Sequence, residues 1–128
     1  EVLDNLEVVI NDLQIDGDVI IAGDLNADFG STYQRGNGKI TPCGTKLLNM
    51  CKRTNLIPVD MVESCKGPSY TFYRDYTGQS YIDHLLVSEQ AIVQCIDISV
   101  WENEPLNLSD HLPLNLTFTL KEHLPHKH

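Results

Sequence analysis

Ser80-Tyr81-Ile82-Asp83-His84-Leu85-Leu86-Val87-Ser88 is a mostly apolar run with an acid and an imidazole set inside it. Tyr70–Arg74 alternates in strand fashion before it, and Asp75-Tyr76-Thr77-Gly78-Gln79 reads as a hairpin-like turn, so Ser80–Val87 is expected to return as the second strand. An ionised Asp83 in such a run costs free energy unless it is paired. His111, well downstream, is a partner whose ring such a carboxylate would orient. The competing reading is a capped or solvent-facing carboxylate at a sheet edge. His84, next door, reads as structural.

Outward from this strand, the pattern is helix, strand, helix and then mostly strands. Leu3, Leu6, Val9, Ile10 and Leu13 recur at helical spacing over residues 2–13, and Gly17 breaks the pattern. Asp18–Ala22 is a short apolar run of the buried-strand type. Residues 28–42 read as a long polar loop with Tyr33, Arg35 and Lys39 available for phosphate or stacking contacts. Thr45–Asn55 reads as a second helix, and Leu56–Met61 as an edge strand, because Pro58 cannot donate to a central ladder. Ala91–Trp101 and Leu112–Leu120 complete the strands. The fold class expected is α/β, with residues 1–120 forming one layered domain and residues 121–128 a disordered tail. The three His of that tail read as frayed terminus rather than metal site.

Composition narrows the function. A chain of 128 residues with 41% hydrophobic and 21% charged residues is an ordinary globular composition. No apolar stretch approaches the ~20 residues of a membrane span. Neither a basic n-region nor an apolar h-region stands at Glu1-Val2-Leu3-Asp4, and the four Cys form no CxxC pair. Free thiols in a nuclear or cytoplasmic, non-secreted protein are the expectation. Nine basic against eighteen acidic residues leave a net charge of −9. That balance disfavours a strong electrostatic grip on nucleic acid by this chain alone, since such affinity comes mainly from Lys and Arg.

Four short motifs hold the chemistry: Gly23-Asp24-Leu25-Asn26, Tyr70-Thr71-Phe72, Tyr81-Ile82-Asp83-His84 and Ser109-Asp110-His111. Each adjoins an apolar run, so one sheet edge could gather them. Phosphodiester hydrolysis needs charge neutralisation, an activated water and help for the leaving oxygen. Hard ions take carboxylate oxygens, and His handles protons near neutral pH. Asp24 and Asn26, two apart, point the same way if the strand continues. They also suit a plain turn that bonds its own backbone. Ser109-Asp110-His111 likewise works either as a turn or as a site, with Asp110 at the metal and with Ser109 and Thr71 offering hydroxyls to phosphate oxygens.

In this order the motifs resemble those of the endonuclease/exonuclease/phosphatase family, the DNase I-like fold. They stand here as GDLN (23–26), YTF (70–72), SYIDHLLVS (80–88) and LSDHLPL (108–114). The surrounding phrases are most similar to the endonuclease domains of non-LTR (LINE-type) retrotransposons, with apurinic/apyrimidinic endonucleases the next branch. The resemblance covers about residues 2–120. It implies the C-terminal half of a four-layer α/β sandwich, mainly antiparallel and flanked by helices.

The resemblance also implies roles. Asp24 would act on the leaving group or nucleophile, Asn26 would hold the scissile phosphate, and Thr71 would contact a phosphate oxygen. Asp83 would orient His111, Asp110 would lie beside Mg²⁺ or Mn²⁺, and Ser109 would support the site. The family's early Asn, principal metal-binding Glu and mid-chain Tyr belong to a first half with no counterpart here. The expectation is therefore a domain whose intact parent hydrolyses DNA with a divalent metal, weak or inactive by itself. Its apolar face would be covered by that missing half or by a second copy. A non-catalytic interaction module, or a phosphatase or RNA-cleaving relative, is the alternative.

Overall fold

The computed structural model describes residues 2–74, 78–102 and 105–120. The expected tail at 121–128 and residues 75–77 of the expected hairpin turn lie outside the described residues.

Helix α1 spans Val2–Asp16, about one turn beyond the expected end. Leu3, Leu6 and Ile10 face the core, and only Ile10 is fully buried. Gln14 extends the helix's reach inward: its Nε2 donates to the Thr54 carbonyl at 2.7 Å and its Oε1 accepts from the Ser88 hydroxyl at 2.9 Å. Helix α2 spans Pro42–Thr54 and begins earlier than expected. The reason is local. Thr41 is an N-cap whose hydroxyl accepts the Gly44 N–H at 3.0 Å, Pro42 follows in the first turn, and Asn55 closes the helix at φ +57°. Gly44 is required there, because a Cβ would meet the Asp28 carbonyl oxygen at 2.1 Å.

Strands β1 (Ile20–Asp24), β2 (Leu56–Pro58) and β5 (Asp83–Ser88) form an antiparallel sheet in the order β1-β5-β2. All six residues of β5 are buried, as a central strand demands. Pro58 ends β2 opposite Leu86, and the chain tightens into a 3₁₀ turn at Val59–Met61 rather than continuing as strand to Met61. Strand β1 pairs only with β5 among the described residues, so its other edge is free, and four of its five residues are exposed. The shift of β1 toward Asp24 depends on Gly23, whose φ of +144° is open to glycine.

The run Ser80–Val87 is not one strand. Strand β4 (Gly78–Ser80) pairs with β3 (Phe72–Arg74), and β5 starts afresh at Asp83 in the other sheet. The break has a cause: Thr71 Oγ1 accepts both the Ile82 and the Asp83 N–H, each at 3.0 Å, and so replaces ladder bonds at the crossing. Strands β6 (Cys95–Val100) and β7 (Leu114–Phe118) make a third antiparallel pair. The start of the Ala91–Trp101 stretch is a 3₁₀ segment, Glu89–Gln94. The core lies between the β1-β5-β2 sheet, α2 and β6, around Phe29, Leu47, Met50, Leu56, Met61 and Leu86.

The 28–42 segment is ordered by its own basic residue. Arg35 donates to the carbonyls of Asp60 (2.9 Å), Cys65 (3.0 Å), Gly67 (3.2 Å) and Pro68 (2.8 Å). Tyr33 packs edge-on against Phe29 at 5.1 Å. Two of the three residues expected to touch a ligand therefore build the scaffold, and only Lys39 of the three is exposed.

Candidate active site

Antiparallel register brings the first two acids together, because Asp24 at the end of β1 lies opposite Asp83 at the start of β5. The Ser109–His111 segment reaches them by pairing with β3. The Tyr73 N–H donates to the Asp110 carbonyl at 3.0 Å, the Leu112 N–H donates to the Thr71 carbonyl at 2.7 Å, and Phe72 bridges His111. Nested turns shape the approach. Asn107 Oδ1 accepts the Ser109 N–H, Ser109 Oγ accepts the His111 N–H, and Asn107 Nδ2 donates to the His111 carbonyl at 2.8 Å.

His111 and Asp83 form the heart of the site. His111 Nδ1 donates to Asp83 Oδ2 at 2.8 Å, while Nε2 faces Asp24 Oδ2 at 3.8 Å. The ring packs on Phe72 at 4.9 Å. The imidazole is held above its ordinary pKa, first by the Asp83 hydrogen bond, against some desolvation, and then by the charges of Asp83, Asp24 and Asp110. Asp83, His111 and Asp24 each present a ligand atom within 4.8 Å of the others.

The remaining expected residues divide. Asn26 sits at φ +50° with its N–H on Asp24 Oδ1 at 2.9 Å, the self-bonded turn that is one of the two readings of this motif. Thr71 reaches the site but is fully buried, and its oxygen serves the Ile82 and Asp83 N–H groups. It supports Asp83 from beneath and presents no surface to a phosphate. Ser109 is exposed beside His111. Asp110, expected beside the metal, faces Arg74 at 3.5 Å and lies outside the three-residue group.

A residue that pattern alone did not reveal is Asp60. It is fully buried, as is His84. Its Oδ2 accepts from His84 Nδ1 at 2.8 Å and its Oδ1 accepts the Leu85 N–H at 2.6 Å. His84 Nε2 donates to the Ala27 carbonyl at 2.6 Å. Both ring nitrogens face oxygen atoms, so the imidazole is held on both sides inside the core. Burial pulls the His84 pKa down, but the Asp60 hydrogen bond and charge, with the Ala27 carbonyl, outweigh it and hold the ring above its ordinary value. A polar side chain in an otherwise apolar stretch (Val59-Asp60-Met61) was the one available signal.

The mixed α/β architecture and its antiparallel sheets are those of a DNase I-like nuclease fold. The 3′ phosphatase NExo from Neisseria, solved bound to a product DNA hairpin, superposes with a TM-score of 0.70 at 19% identity. The match covers 92% of this chain and 52% of that one, so the chain spans about half the neighbour's length. The endonuclease-reverse transcriptase family model matches residues 1–115, and the chain belongs to that family. No curated protein matches.

Proposed function

We propose that this domain contributes the acid–imidazole half of a metal-dependent phosphodiesterase site acting on DNA, as in LINE-type retrotransposon endonucleases. The convergence of Asp83, His111 and Asp24 carries the reading. With Nδ1 engaged by Asp83, His111 has one free nitrogen, Nε2, aimed at the space beside Asp24. There it holds or moves a proton on the attacking water or the leaving oxygen. Attack forms a P–O bond, the ester P–O bond breaks, and the departing oxygen takes up a proton. The exposed Asn26 carboxamide and Ser109 hydroxyl would donate to phosphate oxygens.

The donor chemistry fits a hard divalent ion such as Mg²⁺ or Mn²⁺ that keeps much of its water shell: the Asp24 and Asp83 carboxylates would hold it, and it would neutralise charge on the phosphate. Asp110, one residue from His111, would add negative charge from outside that group. The net charge of −9 opposes DNA, so cleavage by this chain alone is expected to be weak. Ile20, Phe118 and Leu120 are exposed along a groove that runs from the start of β1 past Val87 to the β6–β7 pair. A further segment or a second copy covering that face completes the proposal. Four free cysteines agree with a nuclear or cytoplasmic setting.

Supercoiled-plasmid nicking with Mg²⁺ or EDTA, wild type beside His111→Ala, tests the reading. Weak, EDTA-sensitive nicking that vanishes in the variant is expected. Nicking that survives His111→Ala, or that ignores EDTA, overturns it.

A further inference from the structure

We propose that the buried His84–Asp60 pair is a positioning device for the candidate active site. It grips the Ala27 carbonyl from inside the core and so holds the Asp24–Asn26 turn against Asp83. Neighbouring residues of a strand point to opposite faces. On β5, Asp83 turns outward to His111 while His84 turns inward to Asp60 and Ala27. One strand thus presents the functional carboxylate on one side and the tether on the other.

The tether acts where the sheet stops. Strand β1 ends at Asp24, and the chain reverses through Asn26 in the left-handed conformation. Ala27, the next residue, is 1% exposed, and its carbonyl would be left without that partner if His84 did not reach it. On the other flank, β2 ends at Pro58, and Asp60 takes the Leu85 N–H in its place. His84 is clamped between rings as well, stacked on Tyr81 at 5.5 Å and tilted against Phe29 at 4.6 Å. Few degrees of freedom remain, so the position of Ala27, and through it the Asp24 carboxylate, is set by the core.

Calling this a positioning role rests on the phosphodiesterase reading above; the tether itself does not. Two variants separate them. Asp60→Asn keeps the donors matched: the amide oxygen serves Leu85 N–H, the amide N–H faces His84 Nδ1, and Nε2–H still reaches Ala27. His84→Phe/Asp60→Asn removes the tether, keeps an aromatic ring between Tyr81 and Phe29, and leaves no buried charge. Amide hydrogen exchange on the full chain reads the outcome. In the double variant, exchange at Leu25, Asn26 and Asp28 should rise by about tenfold relative to Leu86 and Val87, the scale of one lost buried hydrogen bond. Asp60→Asn alone should leave that ratio within about twofold of wild type, since its hydrogen bonds survive.

A ratio unchanged in the double variant, with all amides rising together, overturns the tether and leaves His84 a stability residue only. Metal-dependent nicking retained in the double variant overturns the positioning role. A wild-type chain that never nicks removes the catalytic reading instead, and the exchange ratio still decides the tether.

Discussion

Two Asp-His dipeptides, Asp83-His84 and Asp110-His111, carry the same letters and do opposite work. In the first, the acid belongs to the site and the imidazole to the core. In the second, the imidazole belongs to the site and the acid faces Arg74 and solvent. Neither histidine bonds the aspartate beside it. The pair at the candidate site is Asp83 with His111, and the pair in the core is Asp60 with His84. Strand alternation sorts them: adjacent side chains diverge, and partners come from other strands.

The sharpest way to break this contrast is to truncate each imidazole. His84→Ala strands the Asp60 carboxylate in the core and should cost about 3–5 kcal/mol in urea unfolding, the range for breaking one partner out of a buried pair. His111→Ala, at the lip of the site, should cost no more than about 1 kcal/mol. Equal losses would dissolve the distinction. Thr71→Val comes next. It leaves the Ile82 and Asp83 N–H groups without an acceptor and should lower stability by about 1–3 kcal/mol, again by urea midpoint.

Asp83→Asn tests the functional pair through pH. His111 sits above its unfolded value, so the stabilisation it contributes is full below about pH 6.5 and fades as pH rises through the folded value. Removing the Asp83 charge should bring the His111 titration, followed by NMR, back down toward the ordinary value, and should flatten that slope. A His111 midpoint that stays put would show that Asp83 does not set it. The smallest effect belongs to Arg74→Ala. Its pair with Asp110 is more than half exposed on both sides and should be worth about 0.5 kcal/mol or less.

Much of this was legible in the sequence. The α/β order, the edge character of the Pro58 strand and the meeting of Asp24, Asp83 and His111 follow from periodicity, from the missing proline N–H and from motif order. What was hidden depends on single long-range bonds. The Thr71 hydroxyl splits Ser80–Val87 between two sheets, an event no local pattern encodes. Arg35 looks like a phosphate contact until the carbonyls of Asp60, Cys65, Gly67 and Pro68 are found around it. Asp60 escaped because burial is visible only once β2 has turned away into its 3₁₀ segment.

The edge of β1 that no described strand pairs has a practical consequence for handling the protein. An unpaired strand edge is a template for another copy of itself. Asp18, just before the strand, and Asp24, its last residue, put like charges at both ends of that template, and the net charge of −9 keeps molecules apart. That protection is colloidal and depends on the buffer. It weakens as salt shortens the screening length to about 8 Å at physiological strength and less above it. It disappears near the isoelectric point of about 4.7, where turbidity should be greatest. Dilute, low-salt solutions above neutral pH are where the domain should keep best.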